Sequence, residues 1–226
     1  IITAGSGIAV MSVASDFNNI LPSKHPFNRS IKIADKEFGG SKLITVVFEG
    51  DIKDPQLLGR MEQYETELSK VKGIGSATSI AKIIKKMSTA LNDPNEEGYN
   101  KIPADREAVA QYIELYSMNG DPADFEQFVD FDYTRAGMTI QFQANGMKDL
   151  ERIIASVENI VGSDPAKTIT GGYSLVEKEM SESIVSGQYY SLIFAFLAIF
   201  ILLAFIFKSI SAGLLGSLPL LFAVVC

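Results

Sequence analysis

YYSLIFAFLAIFILLAFIF, Tyr189 to Phe207, runs for 19 residues without a charge, a Gly or a Pro. As a helix rising 1.5 Å per residue it spans roughly 28 Å, about the hydrocarbon thickness of a bilayer. It reads as a membrane span occupying residues 187–208. Lys208 and Ser209 interrupt the apolar sequence, and residues 210–226 read as the beginning of another span. At the opposite end Ile1 to Val13 is uncharged, and residues 1–15 read as the last part of a first span. Residues 16–186 lie between and hold nearly all the charge. Their number suits one soluble domain of ordinary size. The chain is therefore expected to place a water-exposed domain between membrane helices, with the lipid bilayer as its first partner.

Composition removes several function classes. The chain has 20 Lys and Arg against 27 Asp and Glu, a formal charge of −7, so no basic stripe is available for nucleic acid. Its one Cys is Cys226, which leaves the domain without a disulfide. The tight loop after Phe207 contains Lys208 and no acid. Short loops bearing Lys or Arg favour the cytoplasmic side, which puts residues 16–186 outside the cytoplasm.

The domain's periodicities give its layout. A connector with Pro22 and Pro26 leads to a helix from Phe27 to Phe38, stopped by Gly39-Gly40. Leu43 to Phe48, LITVVF, is a strand. Pro55 opens a helix to about Val71, with Leu57, Leu58, Met61, Tyr64, Leu68 and Val71 in one stripe. Gly73 and Gly75 break it, and Ala77 to Ile80 reads as a short strand. The order then repeats. Met138, Ile140, Phe142 and Ala144 alternate with polar residues in a strand, Asn145-Gly146 turns, and Met147 to Val161 forms an amphipathic helix. Lys167 to Thr170 is the last strand. Two such units commonly fold as a ferredoxin-like β-α-β-β-α-β sheet with both helices on one face, an α+β class. Between them a helical insertion, about residues 81–130, contains two amphipathic helices and a shorter one from Pro122 to Val129. Tyr173 to Gly187 is a polar helical run that leads straight into the membrane span.

The chemical signals are sparse. His25, the only histidine, stands in a Ser-Lys-His-Pro connector with no nucleophile elbow, which predicts an exposed loop residue. Asp93, Asn95, Glu97 and Gly98 resemble a calcium loop, but Ala104 stands where the closing Glu is required. Gly73-Ile74-Gly75 follows a helix, the reverse of a dinucleotide motif. Asp121, Asp124, Glu126, Asp130 and Asp132 read as a solvated acidic patch. No catalytic residue, cofactor or metal site is expected. Phe125, Phe128 and Phe131, with Tyr112 and Tyr116, form the aromatic group of greatest interest. They are expected either to bury the insertion or to line a greasy path for substrate. Gly171 and Gly172 are hinge candidates above the membrane helix. Gly213, Gly216 and Pro219 allow close helix packing or a kink in the last span.

The sequential order resembles the resistance-nodulation-division (RND) exporters, in the branch containing the mycobacterial large membrane proteins. The resemblance rests on Asp16-Phe17 with Leu21-Pro22, on Glu37-Phe38-Gly39 before the first strand, on Thr170-Gly171-Gly172, and on Phe207-Lys208-Ser209 followed by Gly213 and Pro219. It implies a multi-pass plasma-membrane transporter, driven by protons or another cation, that exports hydrophobic or amphiphilic compounds such as lipids and drugs. The domain outside the cytoplasm would handle substrate, and self-association into a homo-oligomer is left open. The ion-carrying residues of that family lie in a later helix, so no position here inherits that role. A second reading is the force-transmitting or partner-binding domain of an ATPase-coupled permease or cell-division protein. A membrane-tethered enzyme is a third reading without a supporting nucleophile, metal cluster or phosphate loop.

Overall fold

The computed structural model describes residue 22, residues 24–119 and residues 123–225. The expected first span, the Asp16-Phe17 motif, Leu21, Asp121, Pro122 and Cys226 lie outside the described residues. Of the described residues, those up to Lys178 form one compact unit and those from Glu179 onward belong to a second.

The first helix, α1 (Pro26–Glu37), is capped by His25, whose Nδ1 accepts from the Phe27 N–H at 3.2 Å. His25 is exposed, as its connector predicts, but it also satisfies a helix-start donor that would otherwise be unpaired. The chain then enters β1 (Lys42–Glu49), crosses through α2 (Pro55–Leu68) and reaches β2 (Ile74–Thr78). Asp54 caps α2 by accepting from Gln56 N–H, and Pro55 occupies the first turn, where its missing N–H is no loss. The insertion comprises α3 (Ile80–Leu91), α4 (Arg106–Asn119) and α5 (Ala123–Glu126). β3 (Arg135–Phe142), α6 (Met147–Val161) and β4 (Lys167–Gly171) complete the sheet. Two further helices follow, α7 (Tyr173–Phe207) and α8 (Ile210–Val225).

Strand order is β2-β3-β1-β4, and every neighbouring pair is antiparallel. β1 and β2 thus run parallel with β3 between them, and β3 and β4 run parallel with β1 between them. Helices α2 and α6 make these two crossovers and touch each other. The core follows strand alternation. Ile44, Val46 and Phe48 of β1 and Ala136, Met138, Ile140 and Phe142 of β3 are buried. They meet Leu57, Leu58, Met61 and Leu68 of α2 and Leu150, Ile153, Val157 and Val161 of α6. Each of the larger side chains contributes about 1.5–3 kcal/mol by leaving water. Ile80, Ala81 and Ile84 of α3 join the same core.

Two boundaries differ from those expected. The second strand occupies Ile74–Thr78 rather than Ala77 to Ile80. Gly75 is inside the strand because the chain there runs against Gly39, where a Cβ would lie 1.9 Å from the Gly39 carbonyl oxygen. The strand stops at Thr78 because Ser79 caps α3, its Oγ accepting from Ala81 N–H at 3.2 Å. The short helix expected from Pro122 to Val129 covers only Ala123–Glu126, and Val129 instead bridges to Ala136 beside β3.

Candidate functional site

Two places concentrate the features that a domain attached to a membrane helix needs. One is the aromatic insertion, and the other is the passage from β4 into α7.

In the insertion, Phe125 is buried and meets Tyr116 edge-to-face, with ring centroids 4.6 Å apart and planes at 88°. That geometry sets ring hydrogens against the partner's π face. Tyr112, Tyr116 and Phe128 are half-buried against the same core, and Asn92 Nδ2 donates to Tyr112 Oη at 3.0 Å. Of these four side chains, Tyr116 and Phe125 meet directly, and Tyr112 and Phe128 pack on the same core. Phe131 does not join them; it is 96% exposed. The insertion is tied to the sheet by Arg106, whose Nε donates to Asp51 at 2.5 Å, and internally by Ser88, which donates to the Gly98 carbonyl. Of the acidic patch, Asp130 is used locally: it accepts from Thr134 N–H, Thr134 Oγ1 and Arg135 N–H and so shapes the turn into β3. Among the described residues no group of three or more His, Cys, Asp or Glu is placed to hold a metal.

At the passage, Gly172 has φ +125°, and a Cβ there would sit 3.0 Å from the Leu43 carbonyl oxygen. Only glycine fits both conditions without strain. Gly171 meets neither; its surroundings leave room for a side chain. Helix α7 then begins with Leu175 N–H donating to the Gly172 carbonyl at 3.1 Å. One turn later Glu177 is buried and accepts from Lys42 Nζ at 2.5 Å, the two side chains being 5% and 12% exposed. A buried pair of this kind holds two elements in one geometry, because each charge is costly without the other. β4 is anchored on its other side by Glu158 of α6, which accepts from Lys167 and from Thr170 Oγ1. The Lys167 and Thr170 hydrogen bonds hold the Glu158 carboxyl below its usual range despite partial burial.

A third polar knot joins α2 to the turn before β4. The Asp164 side chain is fully buried and accepts from Tyr64 Oη at 2.7 Å, Arg60 Nε at 2.8 Å and Ala166 N–H at 2.7 Å. Burial alone would raise the Asp164 carboxyl, but these donors bring it below the ordinary value. Burial, with the Asp164 hydrogen bond, pushes Tyr64 up to about 12.

Sequence reasoning missed both the Lys42–Glu177 pair and the Asp164 knot. A signal for the first existed: Lys42 is in phase with the inward residues Ile44, Val46 and Phe48, and an inward Lys requires a partner. Nothing in the local pattern identified Glu177, 135 positions away.

The sequence model of the MMPL family matches residues 49–225, from the end of β1 into α8. The chain belongs to the MMPL family. The resemblance to mycobacterial-large-membrane-protein exporters is thereby borne out. This MMPL chain is also similar to MJ1562 of Methanocaldococcus jannaschii, which is named as a membrane protein. The two are 26% identical over 245 residues, a match covering 100% of this chain and 59% of the relative. The chain thus spans well under two thirds of that relative's length. Within it α7 is long and apolar enough to cross a bilayer.

Proposed function

We propose that this chain is part of an RND-type secondary transporter that exports hydrophobic or amphiphilic compounds using an ion gradient. The observation behind the proposal is the MMPL family match, which runs through the sheet domain and α7 together. The strand order β2-β3-β1-β4 with two split β-α-β crossovers supports a ferredoxin-like porter domain. Residues 16–186 lie outside the cytoplasm in this reading, with Lys208 on the cytoplasmic side of a multi-pass protein.

Mechanistically, the domain alternates between substrate-accepting and substrate-releasing shapes. Half-buried Tyr112, Tyr116 and Phe128, backed by buried Phe125, supply apolar surface for a greasy cargo, and exposed Phe131 meets it first. Gly172 is where the chain turns from sheet into helix, with Gly171 beside it as a second hinge position. The Lys42–Glu177 pair makes the start of α7 move with the sheet, so displacement of the membrane helix reaches the domain. No bond is made or broken in the cargo, and the protein acts as a transporter rather than an enzyme.

Efflux of a fluorescent amphiphile from cells expressing the full-length protein tests this reading. Export that stops when a protonophore collapses the gradient, while ATP stays high, agrees with it. Export that follows ATP and ignores the gradient favours the ATPase-coupled permease.

A further inference from the structure

Helix α1 (Pro26–Glu37) stands apart from the rest of the domain. None of its residues is buried, and among the described residues no side chain of it joins the core. It is nevertheless amphipathic. At 3.6 residues per turn Phe27, Ile31, Ala34 and Phe38 share one side, and Arg29, Lys32 and Lys36 share the opposite one. Ile31 and Ala34 are half-buried, but Phe27 is 49% exposed and Phe38 is 67% exposed. These two rings bracket the apolar side about three turns, or about 16 Å, apart.

Charge and position together indicate what meets this helix. Residues 24–38 carry Lys24, Arg29, Lys32 and Lys36 against Asp35 and Glu37, an excess of cations in a chain with 20 Lys and Arg and 27 Asp and Glu. Both acids are engaged locally: Asp35 accepts from Ser41 N–H at 2.8 Å, and Glu37 pairs with Lys36 at 3.2 Å. Exposed Lys24, Arg29 and Lys32 have no acid partner among the described residues. The helix runs through Gly39 and Gly40 into β1, whose first residue, Lys42, pairs with Glu177 in the first turns of α7. Gly172, from which α7 starts, lies against the Leu43 carbonyl. Helices α1 and α7 therefore join the sheet at the same end, and α7 is the helix long and apolar enough to cross a bilayer.

We propose that α1 lies on the bilayer as an interfacial helix, with Phe27 and Phe38 at the acyl boundary and Arg29 and Lys32 among anionic lipid headgroups. Aromatic rings on one side with Lys and Arg on the other bind such a surface through buried apolar area and attraction to anionic lipid. The helix gives the domain a second foothold on the lipid beside α7. Cargo and driving force do not enter, so the proposal stands or falls separately from the transport reading.

The test uses the full-length protein in lipid nanodiscs, with photoreactive benzoylphenylalanine in place of Phe38. In discs of mixed phosphatidylglycerol and phosphatidylcholine, irradiation should give adducts with lipid. Their yield should fall roughly tenfold or more in pure phosphatidylcholine discs. It should fall similarly in the anionic discs when Arg29→Gln and Lys32→Gln are combined, since each basic group near an anionic surface contributes about a fivefold factor. Raised salt should lower the yield as well, by screening. Both substitutions are at exposed positions, so the melting profile should stay that of the parent. The photoreactive residue at position 27 makes the same test should the position 38 protein fold poorly. Equal yields from anionic and neutral discs, adducts with protein only, or no adduct at either position would each overturn the proposal.

Discussion

Lys42 and Glu177 show how much of this molecule's behaviour depends on single side chains. Replacing either one, for example Glu177→Gln or Lys42→Met, leaves the other charge buried, a change that costs about 3–5 kcal/mol in comparable sites. The exchange Lys42→Glu with Glu177→Lys should recover part of that loss, and a double-mutant cycle on thermal unfolding of the full-length protein checks it. Two independent destabilisations that simply add would mean the pair is not a unit. The Asp164 knot makes a pH prediction. Asp164 has a lowered carboxyl pKa when folded, so its contribution is present above its unfolded pKa and is lost as pH falls through the folded value. Tyr64 is raised to about 12, so its contribution is present below the ordinary tyrosine value and is lost as pH rises through about 12. Asp164→Asn should flatten the acid limb of the stability profile, and Tyr64→Phe the alkaline limb. Gly172 gives a contrast with its neighbour. Gly172→Ala should destabilise by about 1–3 kcal/mol, whereas Gly171→Ala should be near neutral, as measured by chemical unfolding.

Among the elements, the strongly periodic ones are legible in the amino-acid sequence. The inward set of β3, the stripe of α6 and the apolar length of α7 follow from spacings of two, of three to four, and of continuous apolarity. The features that are not legible depend on contacts distant in sequence. Gly75 reads as a break until Gly39 is seen against it, and Ser79 reads as a strand residue until its hydroxyl caps α3. The aromatic insertion is readable as a group, but only the packing separates buried Phe125 from exposed Phe131. In the apolar helices, Gly213 and Gly216 are expected from sequence to allow close helix packing or a kink. A Cβ at Gly213 would lie 2.9 Å from the Ala204 Cβ, and one at Gly216 would lie 3.0 Å from Leu203 Cδ1, so α8 approaches α7 closely. Gly213→Leu should therefore force the two helices apart. The expected outcome is a lower melting temperature of the purified membrane protein, with no such effect from Gly187→Ala, whose surroundings are open.

On the scale of the whole molecule, the chain joins a charged α+β unit to apolar helices through one continuous helix, Tyr173–Phe207. The proposed export of greasy compounds on an ion gradient requires two things: an apolar surface that accepts cargo, and a mechanical link between the domain and the apolar helices. The Lys42–Glu177 pair and Gly172 lie at that link, on the domain's side of it. The decisive measurement is flux of a fluorescent amphiphile by the full-length protein in sealed proteoliposomes without nucleotide, before and after a pH gradient is imposed. The account predicts flux that appears with the gradient, vanishes with a protonophore, and falls in Glu177→Gln. Flux that is absent under the gradient and appears only with ATP and a companion ATPase would contradict it.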